Sequence, residues 1–335
     1  MKKQHIAALM VLGLSTAFAA EESLADKLSL VANVQTQGSK ALYDNDKDNN
    51  LDGFWFRANF GVKYSSESFD GNVTIRMYAP SFGNTIDGSE YDKFQADTYF
   101  GNYKWNTGVG KFNLKLGHWK TDWSVSGNFG TYIDKDLSKR GFLNRDQAHD
   151  ALEGGWATGP SQLNVMVATG DGNFNTGYLR VEENVALAGL KATVAYRSNV
   201  IDPIQNTAEI THRIAARASY EIMKNLKVYG EVAIITTGDE EEDEEDAIHE
   251  YDFGTTYVPF FIGVEIPTMG ILDNLYAEFE YIGDRDELNS DADEIGWSVG
   301  VVKKLGSKTK LQVGLYSETE VSDVALAARI TSTLQ

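Results

Sequence analysis

Apolar and polar residues alternate with a period of two along most of the chain. In residues 54–64 the even positions hold phenylalanine, alanine, valine and tyrosine, and the odd positions hold mainly arginine, asparagine, glycine and lysine. The same alternation occupies residues 28–34, 73–77, 112–116, 190–196 and 210–220, and it returns at 275–281, 295–301, 311–315 and 324–330. Because successive side chains of a β-strand point to opposite faces, this pattern predicts many strands, each with one apolar and one polar face.

We predict sixteen strands from this alternation and from the turn residues between the segments. The least regular segments are residues 94–101, 151–157 and 258–266. Long and short connections alternate along most of the chain, and the main long loops are predicted at about 38–52, 80–92, 121–147 and 238–252. Short turns at one rim and longer loops at the other are typical of transmembrane β-barrels.

The polar faces of these strands favour a membrane barrel over a soluble protein. A secreted β-sandwich or β-helix would bury its apolar faces in a core. The predicted strands, however, reach roughly 9–11 residues, which suits a tilted crossing of a bilayer. Charged residues also occupy the middle of the polar faces, as expected for a water-filled lumen. They are Arg57, Arg76, Lys115, Arg180, Arg197, Arg213, Arg217, Glu153, Glu182, Glu231, Glu278 and Glu280. The predicted fold class is all-β, a sixteen-stranded antiparallel transmembrane β-barrel, in which the closed sheet pairs the backbone groups.

Residues 1–19 have the pattern of a secretory signal peptide. Lys2 and Lys3 give a positive start, residues 6–14 are an apolar run, and small residues at 17 and 19 predict cleavage before Ala20. We therefore expect an exported chain whose barrel occupies residues 20–335. No later segment has the ~18 uncharged apolar residues that a transmembrane helix needs.

Composition narrows the classes of partner and chemistry. The chain of 335 residues has 30 Lys+Arg against 49 Asp+Glu, a formal net charge of −19. This acidity disfavours nucleic acid as a partner, because binding phosphates needs a basic surface. The absence of cysteine excludes a disulfide scaffold and a cysteine nucleophile.

An enzyme or adhesin built on a barrel is the alternative from a different class. Four histidines follow the predicted signal peptide, and one of them, His149, adjoins Asp150, a pair that could supply a base and its orienting acid. The other three are His118, His212 and His249. No nucleophile motif or HExxH pattern accompanies them. Since sixteen strands also exceed what a filled barrel needs, we expect no enzymatic activity.

The run 110–118, GKFNLKLGH, is a glycine-led alternating strand that ends in glycine and a basic residue, and the longest predicted loop, 121–147, follows it. In this motif, and in architecture from about residue 28 to 334, the chain resembles the general porins of Gram-negative outer membranes, which are sixteen-stranded trimeric barrels. The resemblance implies a passive aqueous channel for small hydrophilic solutes and ions. It also implies a homotrimer set in outer-membrane lipid and lipopolysaccharide, with no required cofactor.

The resemblance further implies where such a channel is narrowest. In that family the third extracellular loop folds into the lumen and sets acidic groups against basic groups on the facing wall. The acidic candidates in the third long loop are Asp122, Asp134 and Asp136. The basic candidates on the predicted lumen face are Arg57, Arg76 and Lys115. Opposed charges would discriminate ions by sign, with the net acidity favouring cations. The alternative is that each charge only solvates the lumen wall.

Aromatic residues on the predicted polar face suggest a second, more selective channel. The candidates are Trp55, Trp119, Tyr78 and Tyr99. A track of aromatic faces could stack against sugars and make the channel selective for carbohydrates. The alternative is that these residues belong to the aromatic girdle near the strand ends or pack against loops.

One predicted loop has the ligand spacing of a calcium site. Oxygen-bearing side chains recur at every second position, at Asp44, Asp46, Asp48, Asn50 and Asp52. This resembles the EF-hand loop, although asparagine stands at the glycine position and tryptophan at the position of the bidentate glutamate. The alternative is a solvated acidic loop, as expected also for the acidic run at 239–246.

Overall fold

The computed structural model describes residues 27–43, 53–79, 94–120, 148–169, 177–198, 212–224, 226–236, 256–258, 260–268, 270–281, 295–317 and 324–334. Nearly all of these residues lie in β-strands. The predicted signal peptide at 1–19 lies outside the described residues, as do the predicted loops 80–92, 121–147 and 238–252. Among the described residues, no helix has the length and apolar character needed to cross a membrane.

The chain forms one antiparallel sheet from seventeen strand segments. They are β1 Leu28–Tyr43, β2 Gly53–Ser65, β3 Phe69–Ala79, β4 Phe94–Thr107, β5 Gly110–Lys120, β6 Ala148–Thr158, β7 Ser161–Thr169, β8 Gly177–Leu187, β9 Leu190–Ser198, β10 His212–Met223, β11 Leu226–Thr236, β12 Thr256–Tyr257, β13 Phe260–Pro267, β14 Asn274–Tyr281, β15 Ile295–Lys304, β16 Thr309–Tyr316 and β17 Val324–Leu334. β12 and β13 both pair with β11, so together they make one strand position, and each strand position pairs with its neighbours in the chain.

The sheet closes on itself because β1 pairs with β17 as well as with β2. The ladder between the first and last strands runs from Ala32 opposite Leu334 to Tyr43 opposite Val324. Sixteen strand positions therefore form a closed antiparallel barrel, as predicted. The segments 94–101 and 151–157 lie within β4 and β6, and β13 covers residues 260–266 of the third segment.

One predicted loop boundary differs from the structure. The loop predicted at 38–52 begins too early, because β1 continues to Tyr43. Residues 39–41 pair with Ala325, Leu326 and Ala327 of β17 across the closing seam of the barrel. Alternation is weak in this stretch, and the partner strand that extends it lies almost three hundred residues away, so local sequence gives no signal for it.

The two faces of the barrel have opposite polarity. On the outer face, Leu116 is 57% exposed, Val194 56% and Ile262 52%. On the inner face, Gln312 is 2% exposed, Arg180 4% and Glu278 5%. A soluble protein has the reverse arrangement, with apolar side chains inside. The inner polar side chains are covered because they contact one another along the wall, as described below.

A β-bulge in β4 changes which residues face inward. The register between β3 and β4 shifts so that Thr74 faces Thr98 and Ile75 faces Ala96, which leaves Asp97 unpaired in the ladder. The bulge lets Asp97 and Thr98 both turn toward the lumen. After the bulge the parity is reversed, and Tyr99 lies on the outer face.

Aromatic rings line the outer face near the short turns. Trp105 stacks between Tyr103 and Phe112, at centroid distances of 5.6 and 5.7 Å, and Phe112 lies 6.4 Å from Trp156. The Trp156 indole N–H donates to the carbonyl of Val109 in the β4–β5 turn, at 3.2 Å. This arrangement is a segment of an aromatic girdle, in which the apolar ring faces lipid and the polar edge faces the interface.

Candidate functional site: the lumen wall

The candidate site is the inner face of the barrel, here called the lumen wall. Because the sheet is closed and antiparallel, inward side chains in register on adjacent strands form rows that run around the wall. Chemistry at this site therefore depends on which side chains the ladder brings into the same or adjoining rows. Three groups of contacts cover most of the wall.

Arg57 and Arg76, two of the predicted basic residues, lie on the adjacent strands β2 and β3 and face the lumen. Arg57 donates through its guanidinium to the amide oxygen of Gln35 on β1. Arg76 forms an ion pair with Asp97, and its Nε donates to Asn59 Oδ1 at 3.3 Å. Both guanidiniums are thus held flat along the wall by neighbours on the next strands.

Lys115, the third predicted basic residue, lies outside this first group and outside the two groups described next. Its amino group lies 4.0 Å from the centroid of Trp119 and 4.3 Å from that of Phe100, so it makes cation–π contacts with both rings. In the β5–β6 ladder it stands opposite Glu153. The structure therefore brings Arg57 and Arg76 together but does not join Lys115 to them through any described contact.

A second group spans β7, β8 and β9 and is here called the polar network. Its centre is Glu182, which accepts hydrogen bonds from the side-chain amides of Asn164 and Asn184, at 3.0 and 2.9 Å. The Arg180 guanidinium pairs with the same carboxylate at 2.5 Å. Thr193 on β9 donates to Asn184 Oδ1 at 2.6 Å. These bonds compensate for the burial of a charged pair, which otherwise carries a large desolvation cost.

A third group crosses β11 to β15 and is here called the acidic row. Tyr229, Gly263, Glu278 and Ser298 stand in one register across these strands. Because Gly263 has no side chain, the ring of Tyr229 lies over it, and the Tyr229 hydroxyl donates to Glu278 Oε1 at 2.6 Å. Ser298 donates to the other oxygen at 2.8 Å. Two neutral hydroxyls thus orient the carboxylate without cancelling its charge.

The acidic loop candidates and the calcium candidates cannot be placed on this wall. Asp122, Asp134 and Asp136 lie outside the described residues, and so do Asp44, Asp46, Asp48, Asn50 and Asp52. Within the described part of the chain, no cluster of three or more acidic or histidine side chains could hold a metal ion. Both assignments stay predictions.

The aromatic candidates for sugar stacking do not form a track among the described residues. Trp119 faces the lumen as predicted, but it is only 5% exposed, with its ring covered by Lys115 and Phe100. Tyr99 lies on the outer face, opposite to the prediction, because the bulge at Asp97 reverses the parity of β4. The backbone of Trp55 pairs with that of Gln37, and the backbone of Tyr78 pairs with that of Arg57. The side chains of Trp55 and Tyr78 lie outside the described part of the structure.

At the long-loop rim the outer face carries hydrogen-bonded tyrosine and histidine side chains in place of aliphatic ones. Tyr99 stacks on His118 at 5.0 Å, and both bond the carboxylate of Asp150, at 3.0 and 2.9 Å. The catalytic pairing considered for Asp150 was with His149, but His118 is the residue that faces Asp150 across the ladder. Tyr196 and His212 make a similar pair with 2.8 Å between the hydroxyl and Nδ1. These pairs mark the level at which the apolar outer band stops.

Two features of the wall had little signal in the sequence. Asp97, the partner of Arg76, has the same parity as Tyr99, so regular alternation puts both on one face, and only the bulge lets Asp97 face inward while Tyr99 faces outward. Gly155 and Gly263 read as gaps in an otherwise polar face, yet they provide the space in which side chains of neighbouring strands meet. A Cβ at Gly155 would lie within 3 Å of the amide oxygens of Asn113 and Asn164.

Comparison with solved structures identifies the fold. A triple mutant of the Rhodopseudomonas blastica porin superposes with a TM-score of 0.57 at 9% sequence identity, over 92% of this chain and 100% of that chain. A structure described by the asymmetric conductivity of engineered proteins gives 0.56 at 10% identity, over the same shares. The chain has the porin fold. Another mutant of the R. blastica porin matches this porin fold at 0.55 and 10% identity, again over 92% and 100%.

The likeness to porins is confined to architecture. No protein-family model matches the chain, and no curated protein matches it in sequence. At about one residue in ten identical, the porin fold is shared but the side chains of the lumen wall are not inherited as a set. The contacts described above must therefore carry any statement about selectivity.

Proposed function

We propose that this protein is an outer-membrane porin, a passive aqueous channel for small hydrophilic solutes and ions. The observation that carries the proposal is the inverted polarity of a closed barrel with sixteen strand positions. Apolar side chains cover its outer face, and charged and amide side chains cover its inner face. Barrels of this strand number enclose an aqueous channel instead of filling with side chains.

Location and assembly are part of the same proposal. The signal sequence at residues 1–19 would export the chain, and the apolar outer band would place it in the lipid of the outer membrane, beside lipopolysaccharide. Outer-face polar pairs such as Tyr99 and His118 suit the headgroup level at the long-loop rim. By resemblance to the general porins, we propose a homotrimer, which native mass spectrometry in detergent would test.

We further propose that charge on the lumen wall sets ion selectivity. Arg57 and Arg76 supply positive charge on one part of the wall, while Glu278 in the acidic row supplies negative charge on another. The acidic side chains of loop 121–147 would add to this field if the loop folds inward. A cation preference follows from the net charge of −19.

Single-channel recording in planar bilayers tests the proposal. The purified protein should give large, stable, ohmic conductance steps, with a K⁺/Cl⁻ permeability ratio above one. Absence of steps from correctly folded protein would reject the channel and favour a barrel with another role. Block of the steps by a neutral oligosaccharide would support the carbohydrate-selective alternative, but the covered ring of Trp119 does not favour it.

A further inference from the structure

A cavity of about 470 Å³ lies at the short-turn end of the barrel, between β6, β7, β8, β9 and β10. Its polar lining includes Gln162, Asn184, Lys191, Thr193, Arg217 and Ser219. Sites for small molecules usually have volumes of roughly 300–1,000 Å³, so the cavity has room for a solute of the size of a sugar. Two of the lining side chains, Asn184 and Thr193, belong to the polar network, so the cavity lies directly beside that group.

The register of the sheet explains why these side chains face one space. Gln162 pairs with Asn184, Asn184 with Thr193, and Thr193 with Arg217, which puts four inward side chains into one row. Lys191 pairs with Ser219 in the adjoining row, nearer the turns. The cavity is therefore built on paired strands and not on a loop, and its groups keep fixed spacings.

Small residues leave the space open. Ala157, Gly159 and Ala186 line the same cavity beside the β6–β7 turn. The turn is tied to β8 because the Ala186 N–H donates to the carbonyl of Pro160 at 2.9 Å. A larger side chain at any of these positions would occupy the volume that the cavity now offers.

The neutral polar groups of the cavity are already oriented by the polar network. Asn184 donates to Glu182 at 2.9 Å and accepts from Thr193 at 2.6 Å, and Gln162 donates to Asn164 at 3.0 Å. Groups whose rotamers are held in advance lose little conformational freedom when a ligand binds. Gln162 lines the cavity and is held by its bond to Asn164, which leaves its amide oxygen as an acceptor for a ligand.

Both charged groups that line the cavity are cations. Lys191 is exposed and Arg217 is half-buried, and within the described part of the chain no acidic side chain lines the cavity. Two carboxylates outside the lining lie near Arg217: Glu182, which is close enough to attract it, and Glu231, which stands opposite it in the β10–β11 ladder. Because Arg217 lies beside these carboxylates, the exposed Lys191 is the more accessible of the two cations, and Arg217 adds a second, partly compensated one.

We propose that this cavity binds a small anionic polyol, with the anionic group between Lys191 and Arg217 and the hydroxyl groups against the amides and hydroxyls of the first row. Guanidinium and ammonium groups form charge-assisted hydrogen bonds with phosphate and carboxylate alike. The shared ligand chemistry is therefore one anionic group on a hydroxylated body. The site deepens the proposed channel function, since it would capture such solutes from the lumen at the short-turn mouth.

Isothermal titration calorimetry on the full mature protein in detergent tests the site with three probes: glucose 6-phosphate, gluconate and glucose. Binding of glucose 6-phosphate or gluconate with no measurable binding of glucose supports the proposal, and the stronger of the two shows whether phosphate or carboxylate is preferred. Equal affinity for glucose, or binding of none of the three, overturns it.

Variants localise the binding. Lys191→Gln alone, and Lys191→Gln with Arg217→Gln, should weaken binding of the anionic probe, the double variant by about tenfold or more. Lys310→Gln on β16 makes the same charge change elsewhere on the inner face and should leave the affinity unchanged. An unchanged affinity in the double variant, or an equal loss in Lys310→Gln, overturns the assignment. Heat-modifiable migration on gels confirms that each variant is folded, and the exposed position of Lys191 makes the single variant safe in this respect.

Calorimetry separates this proposal from the channel itself, because binding does not require conduction. Protein that binds glucose 6-phosphate but gives no conductance steps would reject the channel and keep the site. Protein that conducts but binds neither anionic probe would keep the channel and reject the site. In conducting protein, glucose 6-phosphate added on the short-turn side should produce brief blocks that the double variant loses.

Discussion

The outer and inner faces of this barrel are made from alternate residues of the same strands, yet different forces hold them in place. Outer residues such as Leu116 and Ile262 have about half of their surface exposed, so they gain little from packing within the chain. Inner residues such as Arg180 and Glu278 are almost fully covered and make directed hydrogen bonds. The comparison shows that lipid must satisfy one face, whereas the protein satisfies the other.

The largest expected effect comes from placing a charge on the outer face. Leu116→Arg puts a guanidinium in the middle of the apolar band, and such substitutions cost about 2–4 kcal/mol near the bilayer midplane. We expect failure of assembly or a lowered unfolding free energy in lipid vesicles, measured by urea titration. Leu116→Met is the matched control and should be nearly neutral. Full tolerance of Leu116→Arg would mean that this face does not meet lipid.

A matched pair of glycine substitutions compares the two faces directly. In Gly263→Ala the new methyl group would occupy the position of the Tyr229 ring, which must move away and lose its bond to Glu278. A buried donor left without its partner costs about 1–3 kcal/mol. In Gly154→Ala the same methyl group, on the outer face, meets no atom within 4 Å. Equal stability of the two variants by urea titration would contradict the acidic row.

Much of this contrast could be predicted from the sequence, because it depends on parity alone. Alternation from residue 54 to 64 assigned Arg57 to the inner face and Phe60 to the outer face, and the structure agrees. What parity cannot predict is the partner of each side chain, since that depends on the register between strands. Tyr229 and Glu278 are 49 residues apart, and only the ladder through Gly263 brings them together.

The bulge at Asp97 shows a second limit. One extra residue in β4 puts Asp97 and Tyr99, which have the same parity, on opposite faces, so the prediction that Tyr99 faces the lumen is wrong although Asp97 does face it. Single bulges have no strong local signature, because the residue that is left out of the ladder is not restricted to one type. Their position follows from the pairing of whole strands.

A smaller effect is expected when the inner basic residues are neutralised. Removing Arg76 leaves the charge of Asp97 uncompensated, and removing Arg57 deletes a cation that is bonded to the neutral Gln35. In Arg57→Gln with Arg76→Gln we expect the K⁺/Cl⁻ permeability ratio of the folded channel to rise roughly twofold. Lys224→Gln, in the turn after β10, is the control. An unchanged ratio would mean that ions do not pass near these side chains.

The smallest expected effect concerns the rim between the two faces. Asp273, in the turn between β13 and β14, accepts a hydrogen bond from the backbone N–H of Lys304 at 2.7 Å, and Lys303 lies 3.6 Å away. That backbone hydrogen bond, aided by the lysines, holds the pKa of Asp273 below its usual value. Its contribution is therefore present above about pH 4 and is lost as the pH falls through the lowered pKa.

Amide exchange of Lys304, the last residue of β15, measures this contribution. We expect protection of the Lys304 N–H to decrease as the medium is acidified below the ordinary pKa of aspartate. Asp273→Asn should abolish this pH dependence. The protection of the strand amides of β14 should be the same in the variant and in the unmodified protein. If protection of the Lys304 N–H in the unmodified protein did not change with pH, Asp273 would not be the group that secures the turn.

The central claim is that neighbouring residues of one strand meet lipid and water in turn. Because the chain has no cysteine, single cysteines at 113, 114, 115 and 116 of β5 can each carry a nitroxide in protein reconstituted into vesicles. We predict that oxygen dissolved in lipid relaxes the labels at 114 and 116, and that a water-soluble nickel complex relaxes those at 113 and 115. Equal access of both agents to all four labels would contradict this arrangement. So would relaxation by oxygen at 113 and 115 together with relaxation by the nickel complex at 114 and 116.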